Sequence, residues 1–130
     1  MKTAWTQAIR ALMVVAALGT AAPLHAQDVA PHVVTAGGAL KMSLDECMRA
    51  AKAAADKKEF TEKQEAIVNS ENNTGDFFAF KESPYSLHVN CDAGNDIWTV
   101  GVGARDRQGA QIYLIDFMLE FPEPIRVFGP

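Results

Sequence analysis

Tyr85-Ser86-Leu87-His88-Val89-Asn90-Cys91 alternates apolar and polar side chains without a break. Successive side chains of a strand point to opposite faces, so Tyr85, Leu87, Val89 and Cys91 make a core face and Ser86, His88 and Asn90 its wet counterpart. The stretch thus ends on a cysteine that faces inward. The other cysteine of the chain, Cys47, lies where the period changes. Ser43 and Glu46 form a capping box, after which Leu44, Cys47, Met48, Ala51, Ala54 and Ala55 recur at helical spacing as one apolar stripe. Asp45 and Arg49 make an i,i+4 pair on the wet side, and Lys57 and Lys58 suit the negative end of the helix dipole. Both cysteines therefore point into the space between a helix and a sheet. A Cys47–Cys91 bridge there closes a loop of about 45 residues and contributes on the order of 2 to 4 kcal/mol. A redox-active pair is the sharper alternative, but these two cysteines lack the Cys-x-x-Cys spacing that tunes thiol reactivity.

The N-terminus says where such a bridge can form. Lys2 and Arg10 give a positive start, residues 11–22 are apolar apart from Gly19 and Thr20, and Leu24-His25-Ala26 offers a small-residue cleavage site. The uninterrupted apolar run is shorter than the roughly 20 residues of a membrane-spanning helix. We expect residues 1–26 to be a cleaved signal peptide and the protein to reach the periplasm of a bacterium, an oxidising space. No cysteine beside the cleavage site invites lipid attachment, and no twin arginine marks export in the folded state.

Removing residues 1–26 from 130 leaves 104, enough for one domain. Lys2 and Arg10 leave with the signal, so ten basic residues remain against sixteen acidic ones, a formal charge of −6. A nucleic-acid binder gathers lysine and arginine into a patch, whereas here they are scattered. The expected profile is no nucleic acid, no cofactor and no stable membrane insertion after signal cleavage.

Residues 27–42 hold two glycines in a row and little periodicity, and are read as a flexible lead to the folded domain at 43–130. His32 lies in that lead, without the neighbours a metal site requires. Beyond Phe60 short apolar runs alternate with turn residues. Strands are expected over 65–69, 77–81, 85–91, 97–104 and 111–119. Their connections, 72–76, 82–84, 92–96 and 105–109, are short turn chemistries that favour antiparallel neighbours. For 62–70 a second short helix competes, because Thr61 and Gln64 can cap one.

The constellations that carry chemistry are weak. Asn90, Asp92, Asn95 and Asp96 gather oxygen atoms around Gly94, yet their spacing fits no EF-hand and these residues serve a tight turn equally well. His88 is exposed by parity beside Ser86 and Asn90, with no nucleophile motif around it. His88, Asn90, Asp92 and Asp96 are the weak metal candidates, and no catalytic residue is assigned. The segment 111–121 is apolar on both parities: Tyr113, Ile115, Phe117, Leu119 and Phe121 share one, and Ile112, Leu114 and Met118 lie on the other. Such a strand needs a cover, supplied by the C-terminal tail 122–130, by a protein partner or by a second copy in a homodimer; otherwise the segment is a helix. Ile112, Leu114 and Met118 are the candidate interaction surface. In the preceding strand Gly101 and Gly103 share a face with Ile97 and Thr99, which allows close approach of something else.

The order of capped helix with inward cysteine, Glu59-Phe60-Thr61, the Gly75-Asp76-Phe77 turn and a second inward cysteine at position 91 resembles small exported proteobacterial α+β proteins of families without an assigned function. The likeness covers residues 43–119. In several such proteins the last apolar segment is a helix after the sheet, whereas Ile112, Tyr113 and Ile115 lean towards strand here. The resemblance implies no site residues. The expected architecture is α+β, one N-terminal helix packed on an antiparallel sheet of four to five strands with a helix-to-strand disulfide. The expected role is a non-catalytic accessory or binding domain of the cell envelope, with an envelope enzyme or metal-handling protein built on His88 and the 90–96 loop as the alternative.

Overall fold

The computed structural model describes residues 32–82 and 85–123. The expected signal peptide at 1–26, the start of the lead at 27–31, residues 83–84 and the tail residues 124–130 lie outside the described residues. In chain order the elements are β1 (His32–Ala39), α1 (Leu44–Lys57), β2 (Glu62–Asn69), β3 (Thr74–Lys81), β4 (Tyr85–Asp92), β5 (Ile97–Ala104) and α2 (Arg107–Glu120). The five strands form one sheet in the order β1-β5-β4-β3-β2, and every neighbouring pair is antiparallel. Strands β2 to β5 are a meander. Helix α1 carries the chain from the β1 edge to the β2 edge, and the meander then returns it to β1.

The capping box at Ser43 is formed, with the Glu46 N–H donating to Ser43 Oγ at 3.3 Å and the Ser43 N–H donating to Glu46 Oε2 at 2.9 Å. Helix α1 turns Leu44, Cys47, Ala51, Ala54 and Ala55 onto β3 and β4. Cys47 and Cys91 are joined, both fully buried, with their Cα atoms 6.2 Å apart. Gly75 lets the helix approach this closely, since a Cβ there would meet Met48 Sδ at 2.7 Å and Leu44 Cδ1 at 3.1 Å. Helix α2 covers β1 and β5 on the same face, and Glu120 ties the helices together through Lys57 and Lys58. Phe77, Leu87, Val89, Trp98, Val100 and Val102 supply the sheet side of the core.

Two expectations are revised. Part of the flexible lead is the edge strand β1, so the first helix is preceded by a strand. Gly37 and Gly38 are buried there, and a Cβ on Gly37 would lie 2.5 Å from the Trp98 carbonyl oxygen. The glycine answers a close backbone approach and not a need for flexibility. The segment 111–119 is helical, within α2, and β1 takes its place as the fifth strand. Asp106 caps that helix by accepting from the Gly109 N–H at 2.6 Å. Ala110, Leu114, Phe117 and Phe121 then fall on one stripe against the sheet, where Phe121 packs on Trp98 with ring centroids 4.5 Å apart and planes tilted by 40°. Tertiary burial of that stripe overrides the strand preference of Ile112, Tyr113 and Ile115. The strand expected over 65–69 is present and begins earlier, at Glu62, as β2, and the competing short helix does not form; β2 is an edge left exposed at nearly every position. A register shift between Glu62 and Glu65, together with Lys63 at φ 45°, spoils the first half of that edge for pairing.

Candidate functional site on the open sheet face

Both helices sit on one face of the sheet, so among the described residues the opposite face is built only from strand side chains. Register arranges them in rows across β3, β4, β5 and β1. One row is Asp76, Asn90, Thr99 and Gly37; the next is Phe78, His88, Gly101 and Thr35; the third is Phe80, Ser86, Gly103 and Val33. The second and third rows make a hollow. Phe78 and Phe80 form one wall, Val33 and Thr35 the other, and Ser86, His88 and the two glycines the floor. Its volume is about 410 Å³, within the range of small-molecule sites. The glycines create this space by withholding side chains from β5. Strand spacing alone predicts walls about 14 Å apart across three strand intervals.

The polar end of the hollow is organised. His88 Nε2 lies 2.7 Å from Asp76 Oδ1, and Asn90 Nδ2 donates to the same oxygen at 2.9 Å. The His88 ring stacks on Phe78, with centroids 4.4 Å apart and planes 4° from parallel. Partial burial works against the Asp76 anion, but the hydrogen bonds from Asn90 and His88 outweigh it and hold the carboxyl below its ordinary value. An ionised carboxylate only accepts, so the hydrogen between the two residues is carried by Nε2. That leaves Nδ1 of a neutral His88 as a lone-pair acceptor, and it has no hydrogen-bond partner among the described residues.

The structure also says what this arrangement lacks. Ser86 shares the face with His88 two residues along the strand, but among the described residues no hydrogen bond joins them, and Ser86 Oγ lies 2.6 Å from where a Cβ on Gly103 would stand. Asp92 of the candidate metal set is turned into its own loop, accepting from the Asn95 N–H at 3.0 Å and from Asn95 Nδ2 at 2.8 Å. Asp96 has φ 55° at the end of that turn, and its carbonyl accepts from the Leu40 N–H. His88 and Asn90 therefore meet at Asp76, while Asp92 and Asp96 serve the β4–β5 connection. Among the described residues no group of three or more His, Cys, Asp or Glu side chains is placed to hold a metal ion.

The candidate interaction residues on α2 are separated by the helix. Leu114 is in the core at 7% exposure, Met118 is half-buried against it, and Ile112 is 50% exposed. Sequence parity found His88 exposed and noted the paired glycines of β5. It missed Asp76, Phe78 and Phe80 as their neighbours, because those contacts depend on the register between β3 and β4. Comparison of the chain with protein-family models, with curated proteins and with solved structures yields no match in any of the three.

Proposed function

We propose that this chain is a non-catalytic binding domain of an exported, envelope-located protein, and that it takes its ligand on the open sheet face. The observation that carries this reading is the hollow over Gly101 and Gly103. It combines largely apolar walls, a floor opened by two glycines and one fixed polar group, the combination by which small-molecule sites gain both affinity and orientation. The buried Cys47–Cys91 bridge supports an oxidising compartment, and among the described residues no helix is long and apolar enough to cross a membrane. The chemistry of the face supports binding over turnover, since the His88–Asp76 pair has an orienting acid but, among the described residues, no nucleophile hydrogen-bonded to the ring.

Gly101→Val tests the proposal. A Cβ at Gly101 meets Thr35 Cγ2 at 3.6 Å, an ordinary contact, so the substitution leaves the strands in place while its methyl groups stand in the hollow. Wild type and variant, each isolated from the periplasm, are compared by native mass spectrometry. A small molecule retained by the wild type and missing from the variant is the expected result. Equal retention by both, or by neither, overturns the reading.

A further inference from the structure

The Asp76–His88 pair and the uncharged hollow together define a ligand class. We propose that the site takes a neutral amphipathic small molecule, its apolar body over Gly101 and Gly103 and its hydroxyl or N–H donating to Nδ1 of His88. This rests on the open face being the binding site. Among the described residues no lysine, arginine, aspartate or glutamate lines the hollow. A ligand with a net charge would shed its hydration there without an opposite charge to replace it. The nearest carboxylate, Asp76, is already occupied by His88 and Asn90. The remaining polar demand is the acceptor at Nδ1. Phe78 holds the imidazole plane by stacking, and Asp76 holds its tautomer, so the acceptor is oriented before the ligand arrives.

Protonation reverses the preference. An imidazolium donates from both nitrogens, so with the ring protonated the same position prefers an acceptor or an anion. Among the described residues Asp76 of β3 is the one ionisable side chain facing His88; β3 also presents Phe78, β5 presents Thr99 and Gly101, and β4 presents Ser86 and Asn90, none of them an acid or a base.

The test uses three probes of one shape, 4-butylphenol, 4-butylanisole and 4-butylbenzoate, titrated into 15N-labelled protein. At a pH where the His88 nitrogen signals report the neutral ring, the phenol should bind about fivefold more tightly than the anisole, the worth of one net hydrogen bond. The shifts should centre on the amides of His88, Gly101 and Gly103. Where the same signals report imidazolium, the benzoate should overtake the phenol. In His88→Phe, which keeps a ring on Phe78, the phenol-to-anisole ratio should fall to one. In Asp76→Asn the side-chain nitrogen spectrum should lose the pure Nε2–H tautomer and the ratio should shrink with it. Equal binding of phenol and anisole by the wild type, with shifts still on the open face, overturns this inference alone. Shifts confined to other surfaces overturn both it and the open-face reading.

Discussion

Replacing both Cys47 and Cys91 by alanine should remove about 3 to 4 kcal/mol of stability, most of it by freeing the unfolded chain. The bridge spans a sequence separation of 44. Chain-entropy bookkeeping for a loop of about 45 residues gives a stabilisation of about 4 kcal/mol at 25 °C, an upper figure because residual structure in the unfolded chain reduces it. The two sulfur atoms are fully buried between α1 and β4, so their loss also leaves a small void. Urea unfolding of the oxidised wild type and of the double-alanine protein measures the difference directly. Two secondary signs accompany it. The slope of free energy against urea should rise, since an uncrosslinked chain exposes more surface on unfolding. Each single alanine variant should also lose nearly as much as the double, because either one breaks the bridge. A drop below about 1 kcal/mol would refute the reasoning, since it would mean that the bridge hardly constrains the unfolded chain.

Further expectations separate features that resemble each other in sequence. Gly37→Ala should destabilise by about 1 to 3 kcal/mol, because its Cβ would lie 2.5 Å from the backbone oxygen of Trp98, whereas Gly101→Ala should be neutral or stabilising by about 0.5 kcal/mol; thermal melts of the two variants check the contrast. Phe117→Ala should lose about 3 to 5 kcal/mol and Ile115→Ala almost nothing, since the first is fully buried and the second 53% exposed. On a strand the two residues would share a face and respond alike, so denaturant midpoints of this pair distinguish helix from strand directly. The Asp76 carboxyl is held below its ordinary value in the folded protein, so its contribution is present above the unfolded-state value and disappears as pH falls through the folded one. Asp76→Asn should accordingly flatten the acid limb of the urea midpoint measured against pH, and an unchanged limb would dismiss the carboxylate's role.

Elements with a strict local pattern were legible from residues alone. The capping box and six-residue apolar stripe of α1, the alternation of β4 and the turn residues around β5 each carry their own local signal, and together they place both cysteines inward. The misread segments are those where tertiary contact decides. β1 looks like a lead because a glycine pair ordinarily marks freedom, while here Gly37 is required by the Trp98 backbone. α2 looks like a strand because Ile112, Tyr113 and Ile115 prefer one, and only the Ala110, Leu114, Phe117, Phe121 stripe, read against a sheet, reveals the helix. The candidate site was half legible. His88 and the β5 glycines could be marked on one face, but the aromatic wall and the Asp76 partner arise from pairing register, which the turn lengths and local alternation do not specify across three strands.

The most direct test of the central claim is an amide-shift map of the 15N-labelled wild type and Gly101→Val with a library of neutral amphipathic fragments. The account predicts that shifts cluster on Phe78, His88, Gly101 and Gly103 in the wild type and vanish in the variant. Shifts that cluster instead on the exposed side of α2, at Ile112, Ile115 and Leu119, or that persist unchanged in Gly101→Val, would contradict it.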